Sequence, residues 1–173
     1  MDVKRNIRKW SALLVAIIMY FVVHEGAHFL YAVSIGAFRR INFIGLGVQV
    51  DIFRERMSDT QLGIFCLAGP AMALLVGYVL VLMSRSLVRK KSLFFRAAAY
   101  YTSFVLLLVD PLYLLVLYQF VGGGDMNGIS LVIPETVTRI LFGIIAAINL
   151  IIIFKYLLPV YRNAYQDSKN RRR

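Results

Sequence analysis

Four apolar stretches, each long enough to cross a bilayer, constrain the fold of this chain more than any other feature. They cover residues 11–37, 61–83, 93–121 and 136–158. A helix needs about 20 residues to cross about 30 Å of hydrocarbon. Helices are expected because backbone polar groups in lipid must be satisfied within the segment. The sequence therefore predicts an all-α polytopic membrane protein, with residues 1–173 forming a single membrane-embedded domain.

The net charge of +11 does not indicate a nucleic-acid-binding protein. Apolar residues make up 60% of the chain, and the basic residues lie in the gaps and ends around apolar stretches. They do not form a basic stripe with interleaved aromatic residues, which is typical of nucleic-acid binding. We therefore expect the lipid bilayer, and not a nucleic acid, to be the partner of these charges.

Basic residues predict the orientation of the chain in a cell membrane. With four crossings the three main clusters share one side, which the positive-inside rule makes cytoplasmic. We therefore expect a multi-pass protein with cytoplasmic N- and C-termini and a frayed, polar, basic tail over 160–173. The clusters are Lys4, Arg5, Arg8 and Lys9; Arg85, Arg89, Lys90, Lys91 and Arg96; and Arg162, Lys169 and Arg171 to Arg173.

The third stretch leaves a second topology open. Asp110-Pro111 is a good helix start, with aspartate as the N-cap and proline at the first helical position. A fifth crossing over 111–133 would put the basic tail on the other side of the membrane. We therefore prefer four crossings with a kinked or re-entrant third element.

A short hairpin is predicted between the first two helices. Residues 41–53 read INFIGLGVQVDIF, in which apolar and polar residues alternate beside a Gly-Leu-Gly turn. This alternation is typical of paired strands. An irregular loop on the membrane surface is the alternative.

The first apolar stretch carries His24, Glu25 and His28, in the pattern His-Glu-x-x-His. On a helix the two histidines lie one turn apart on the same face, so both can bind one zinc ion beside the glutamate. Ionisable groups inside a membrane helix usually mark function. These are also the only two histidines in the chain. The alternative is that they hydrogen-bond neighbouring helices as structural polar groups.

A catalytic zinc ion generally takes three protein ligands, so a third donor is required. No further histidine exists and Cys66 lies in an apolar run, which leaves a carboxylate. Asp125 follows three glycines that can unwind a helix and turn the side chain inward. Asp110 lies deeper in its stretch, at a depth similar to that of the histidines. The local sequence thus favours Asp125 as the third ligand, whereas depth within the apolar stretch favours Asp110.

These motifs together resemble the site-2 protease family of intramembrane zinc metalloproteases, in the manner of a small, divergent member. The resemblance rests on HEGAH at 24–28, LAGP at 67–70 and GGGDMNGI at 122–129. It implies a membrane-embedded metalloprotease domain with one zinc ion, bound by His24, His28 and Asp125. Asp110 then becomes a helix cap or a partner of a histidine. The family commonly orients the histidine helix oppositely to the charge-based prediction.

The resemblance also implies how such a protein acts on a transmembrane protein substrate. Glu25 would take a proton from water and pass it to the leaving amine. A substrate strand would pair with the hairpin edge, and the turn containing Gly69 and Pro70 would let helices pack closely near the site. Asn127 and Asn149 are candidates to support the developing oxyanion, although Asn149 fits an interhelical hydrogen bond better. The sequence does not predict an oligomeric state.

A non-catalytic protein of the same fold is the competing interpretation, either a metal-binding membrane scaffold or a transporter. A transporter is expected to carry more ionisable residues along a path across the bilayer. A scaffold has no need of Glu25. The sequence therefore favours an enzyme.

Overall fold

The chain forms four helical stretches that are long and apolar enough to cross a membrane, and a two-stranded hairpin between the first and second. A computed structural model describes residues 3–44, 47–122 and 124–170. The predicted fold class, with four long helices and a hairpin, is confirmed. The elements in order are α1 (Val3–Ser34), β1 (Phe38–Ile44), β2 (Gly47–Ile52), α2 (Asp59–Leu87), α3 (Leu93–Leu112), α4 (Tyr118–Val121), α5 (Gly124–Ile129), α6 (Glu135–Ile152) and α7 (Leu158–Asn170).

Helix α1 runs from Val3 to Ser34, so both of its ends lie earlier in the chain than the ends of the apolar stretch 11–37. At its C-terminal end Gly36 has a φ of 69°, a left-handed conformation that glycine adopts without strain. The Ala37 amide then donates to the Ala32 carbonyl at 2.8 Å, and the Gly36 amide donates to the Val33 carbonyl at 3.1 Å. This pair of bonds is a Schellman motif, which satisfies the last carbonyls and terminates the helix.

The hairpin forms where the alternation predicted it. Strands β1 and β2 are antiparallel, with Ile41 opposite Val50 and Phe43 opposite Val48. The carboxylate of Asp51 accepts a hydrogen bond from Arg40 Nε at 3.2 Å on the exposed side. The alternative prediction of an irregular surface loop is therefore wrong for the described residues of this segment.

Helix α2 begins two residues before the predicted position because of its N-terminal cap. The Ser58 hydroxyl accepts a hydrogen bond from the Gln61 amide at 3.2 Å, and the Gln61 side chain accepts one from the Ser58 amide at 2.9 Å. This reciprocal capping box satisfies two amides that have no helical acceptor. The helix then continues through Pro70 to Leu87.

The third crossing is one continuous helical stretch, from α3 through the π-helical turn Tyr113–Leu117 into α4. Pro111 has no amide hydrogen, so the carbonyl of Leu107 loses its usual helical donor. The side-chain amide of Asn149 on α6 donates to that carbonyl at 2.6 Å, and Tyr78 on α2 donates to the Asn149 oxygen at 2.7 Å. Asn149 is thus an interhelical hydrogen-bond partner, and no fifth crossing starts at Pro111.

The last crossing continues from α6 through the π-helical turn Ile153–Leu157 into α7, which ends at Asn170. A frayed tail was expected after residue 160, and this expectation is wrong for the described part of the tail. Tyr165 donates to the Leu93 carbonyl at 3.0 Å, and Arg96 donates to the Ser168 hydroxyl at 2.7 Å. These contacts with the start of α3 keep the polar segment helical.

Candidate metal centre

The two histidines lie buried on one face of α1. His24 is 6% exposed and His28 is 3% exposed. Their Nε2 atoms are 3.1 Å apart. His28 lies six residues, or about 9 Å of helix, before the end of α1 at Ser34. The pair is therefore well inside the apolar length of the helix.

The opposite ring nitrogen of each histidine has its own partner. His28 Nδ1 lies 2.7 Å from the Phe65 carbonyl oxygen, and because a carbonyl only accepts, Nδ1 carries the hydrogen. His24 Nδ1 lies 3.1 Å from a carboxylate oxygen of Asp110, whose Oδ1 also accepts a bond from Tyr20 at 2.6 Å. Both rings are therefore held with Nε2 free to face the other.

Asp125 completes a group of three possible ligands. Its carboxylate oxygens lie 3.3 Å from His24 Nε2 and 3.5 Å from His28 Nε2. With hydrogen on both Nδ1 atoms, two Nε2 lone pairs and a carboxylate face one another, and these acceptors repel unless a cation lies between them or one Nε2 is also protonated. His24, His28 and Asp125 can thus hold a metal ion.

A sharp turn and a short helix bring Asp125 to the histidines. Gly122, at the end of α4, has a φ of 95°, which reverses the chain at a position that suits glycine. Helix α5 then packs against α2, with Met126 and Ile129 buried. A Cβ atom at Gly128 would overlap the Cys66 sulfur, so a glycine is required for α5 to lie this close. Asp125 therefore reaches the same depth as the histidines although it follows the end of the third crossing.

Gly69 makes room for the metal centre on the α2 side. An ideal Cβ atom at this position would lie 2.5 Å from His28 Nε2 and 2.8 Å from His24 Nε2. Such an atom would occupy the space that the two nitrogen atoms face. Helix α2 therefore leaves an open cradle where a metal ion would bind.

Glu25 lies beside this centre, in a cavity of about 650 Å³ that His28 and Asp125 also line. Its Oε2 accepts a hydrogen bond from the backbone amide of Val50 on β2 at 3.0 Å. Residues 47–50 of β2 form one wall of the cavity, and Gly122 and Gly124 contribute to its lining. Water thus has space beside His28 and Asp125, next to an extended backbone.

The two competing aspartates have separate places around the histidines. Asp125 lies on the Nε2 side of both rings, and Asp110 lies on the Nδ1 side of His24. Pro70 is buried one residue beyond the cradle glycine. Asn127 is exposed and does not line the cavity that contains Glu25.

Three partners of the site were missed by sequence reasoning. The Tyr20 hydroxyl, the Phe65 carbonyl and the Val50 amide each bind one of its side chains. Tyr20 was open to prediction because it lies one helical turn before His24 on the same face. The other two are backbone groups, for which the side-chain sequence carries no signal.

Comparison of the chain with protein-family models, curated proteins and solved structures finds no match.

Proposed function

We propose that this protein is an intramembrane zinc metalloprotease that hydrolyses peptide bonds of membrane-protein substrates. The single observation that carries the proposal is the convergence of His24 Nε2, His28 Nε2 and the Asp125 carboxylate beside Glu25. The resemblance of the three motifs to the site-2 protease family supports the same reading.

The spacing of the donor atoms suits zinc. Ligands about 2.0 to 2.1 Å from a tetrahedral zinc ion lie about 3.3 Å from one another. The two Nε2 atoms are 3.1 Å apart, Asp125 Oδ2 lies 3.3 Å from His24 Nε2, and Asp125 Oδ1 lies 3.5 Å from His28 Nε2. With one donor atom taken from each residue, the three atoms lie within 4.8 Å of one another. Two imidazoles and one carboxylate also leave a fourth position for water, as in catalytic zinc sites.

Each nearby residue has a role in this proposal. Bound zinc supplies Lewis-acid chemistry, since it lowers the pKa of a coordinated water and polarises a carbonyl. Glu25 accepts the proton of the attacking water on its carboxylate and delivers it to the leaving amine. Asp110 orients His24 through Nδ1, as carboxylate partners of metal-bound histidines do.

The substrate is proposed to bind in an extended form along β2. The cavity lined by Glu25 and Asp125 has β2 as one wall, and a strand edge offers backbone groups for pairing. The Val50 amide, which donates to Glu25, lies on that wall. A pairing substrate strand would compete for this amide and release the glutamate toward the substrate.

The orientation follows from the basic clusters. Arg8 and Lys9 at the start of α1, and Arg162 on α7, line one cavity together with residues near the start of α3. This common location supports the proposal that both termini are cytoplasmic. The hairpin and the nearby metal centre would then lie toward the other side of the membrane.

A non-catalytic metal-binding scaffold is the second candidate, and the Glu25–Val50 hydrogen bond favours it. That bond engages the carboxylate which catalysis requires. The Glu25→Gln variant separates the two functions, because glutamine keeps the shape of the side chain and cannot act as the base.

The test measures zinc content and hydrolysis of fluorescently labelled casein, an unfolded reporter polypeptide, by the full chain in detergent. We expect one zinc per chain in the wild type and in Glu25→Gln, with hydrolysis only in the wild type. A folded, metal-free wild type would contradict the metal centre. Zinc-loaded wild type that cleaves neither casein nor a single-span membrane protein would favour the scaffold.

A further inference from the structure

A second cavity lies at the other end of the bundle, at the N-terminal end of α1. It has a volume of about 390 Å³ and is lined by residues of α1, α3 and α7. Arg8 is 16 residues before His24, which is about 24 Å along the helix. This basic cavity, defined by Arg8, Lys9 and Arg162 with four tyrosines, is therefore separate from the metal centre.

The lining of the basic cavity that the structure describes is positively charged. Three cationic side chains from two helices line it, and none of the acidic side chains whose placement is described does so. The ion pairs found among the described residues involve the histidines of the metal centre and arginines at or just after the hairpin. The cavity thus offers positive charge to an anion from outside the chain.

Arg96 lies close to the cavity, but its guanidinium is engaged in structural hydrogen bonds within the protein. Its guanidinium donates to the Ser168 hydroxyl at 2.7 Å and to the Lys90 carbonyl at 2.5 Å. These bonds connect the start of α3 to α7 and to the preceding turn. Arg96 is not among the lining residues, so the stabilising and the ligand-facing cations are different residues.

Tyrosine rings form the rest of the lining. Tyr100 and Tyr161 pack with ring centroids 5.4 Å apart, and Tyr101 and Tyr165 also line the cavity. Tyrosine is enriched at the membrane–water interface because its ring is apolar and its hydroxyl is polar. The buried Tyr161 hydroxyl has no hydrogen-bond partner among the described residues. A ligand would therefore meet an aromatic wall beside the three cationic side chains.

The depth of the cavity matches that of lipid head groups. The candidate membrane span of α1 begins at Asn6, so Arg8 and Lys9 lie in its first turn. Leu158 adds an apolar contact to the lining. A ligand here is expected to combine a negative charge with an acyl chain that lies along the helices.

We propose that the basic cavity binds the phosphodiester head group of an anionic phospholipid. Arg8, Lys9 and Arg162 surround the phosphate, and the tyrosines pack against the glycerol and the first part of the acyl chains. Such a lipid joins the start of α1 to α7 and holds the basic end of the bundle at the membrane surface. This inference does not depend on the metal centre or on catalysis.

The test titrates the full chain in neutral detergent with dioleoylphosphatidylglycerol and counts bound lipid by native mass spectrometry. Parallel titrations use dioleoylphosphatidylcholine and inorganic phosphate. The variant Arg8→Gln/Lys9→Gln/Arg162→Gln is compared with Arg89→Gln/Lys90→Gln/Lys91→Gln. Both variants remove three positive charges from the same end of the helix bundle, but only the first removes them from the cavity.

We expect about one tightly bound phosphatidylglycerol per wild-type chain and per control variant. The cavity variant is expected to bind it about 100-fold more weakly, since each of its three basic residues near an anionic lipid contributes a factor of about five. Arg162→Gln alone, at an exposed position, is expected to weaken binding about fivefold. Unchanged helical circular dichroism shows that each variant is folded.

Three results would overturn the proposal. Equal losses in the two triple variants would mean that general charge, and not the cavity, attracts the lipid. Binding of phosphatidylcholine as tight as that of phosphatidylglycerol would mean that the cavity does not select for a negatively charged head group. Displacement of the lipid by millimolar inorganic phosphate would assign the cavity to a soluble anion.

Discussion

Asp110 and Asp125 approach the same pair of histidines from two differently built regions. Asp110 is fully buried within a continuous helix, and its carboxylate is shared by Tyr20 and His24 Nδ1. Asp125 lies on a six-residue helix after a glycine turn, and its side chain is 18% exposed. One aspartate is set by a rigid crossing, and the other by the docking of a short segment.

This difference indicates separate roles for the two aspartates around the proposed metal centre. A carboxylate that already serves a tyrosine and a histidine Nδ1 acts best by orienting that histidine. A carboxylate on a separately docked segment can face the ion and also line a water-filled cavity. The rigid region is therefore expected to tune metal affinity, and the docked region to provide a ligand and access.

The largest expected effect is that of Asp125→Asn on metal binding. Loss of a ligand is expected to lower zinc affinity by more than about 100-fold, above the range for residues that only orient ligands. Metal content after dialysis against a graded chelator series measures the loss. The control is Asp51→Asn, the same chemical change at a half-buried hairpin carboxylate outside the metal centre, which is expected to keep wild-type affinity. Normal affinity in Asp125→Asn would reverse the assignment of the two aspartates.

Gly69→Ala tests the centre while leaving both aspartates unchanged. The added methyl group would lie 2.5 Å from His28 Nε2, in the space where the proposed ion would bind. We expect stoichiometric zinc to be lost while helical circular dichroism is retained. Gly26→Ala is the matched control, because a Cβ atom there meets nothing within 4 Å. A zinc-loaded Gly69→Ala protein would show that the ion does not lie between the two histidines.

Asp110→Asn is expected to have an intermediate effect. The amide keeps the shape of the carboxylate but carries no charge toward His24 Nδ1, so zinc affinity should fall by about 10- to 100-fold. Metal content after dialysis against the same chelator series measures this fall in zinc affinity. Complete loss of zinc, equal to that in Asp125→Asn, would indicate that Asp110 is itself a ligand.

Gly128→Ala should produce the smallest change, because it moves Asp125 without altering it. The new methyl group overlaps Cys66, and overpacking of this kind costs about 1–3 kcal/mol. We expect zinc affinity to fall by a few-fold to about tenfold, with partial recovery in the Gly128→Ala/Cys66→Ala double variant. Gly124→Ala, on the same short helix with no atom near its Cβ, is the control. A double variant no better than the single one would argue against docking through this contact.

Much of the fold followed from local patterns. Hydropathy and length predicted the four long helices, and alternation predicted the hairpin, because both depend on periodicity within a segment. The ends of the helices were less accurate, since Gly36 and the Ser58 capping box act over a few residues beyond the apolar stretch. The helical tail was missed because its stability comes from contacts with Arg96 and Leu93, far away in sequence.

By itself, the sequence determined that His24 and His28 share one face, with Glu25 beside them, on a helix long enough to lie inside a bilayer. This follows because a helical repeat and an apolar length are local properties. Only the tertiary structure decided which aspartate faces the Nε2 atoms, that Gly69 leaves a cradle there, and that Val50 binds Glu25. Those relations depend on the docking of α5, α2 and β2 onto α1, which no spacing within one segment encodes.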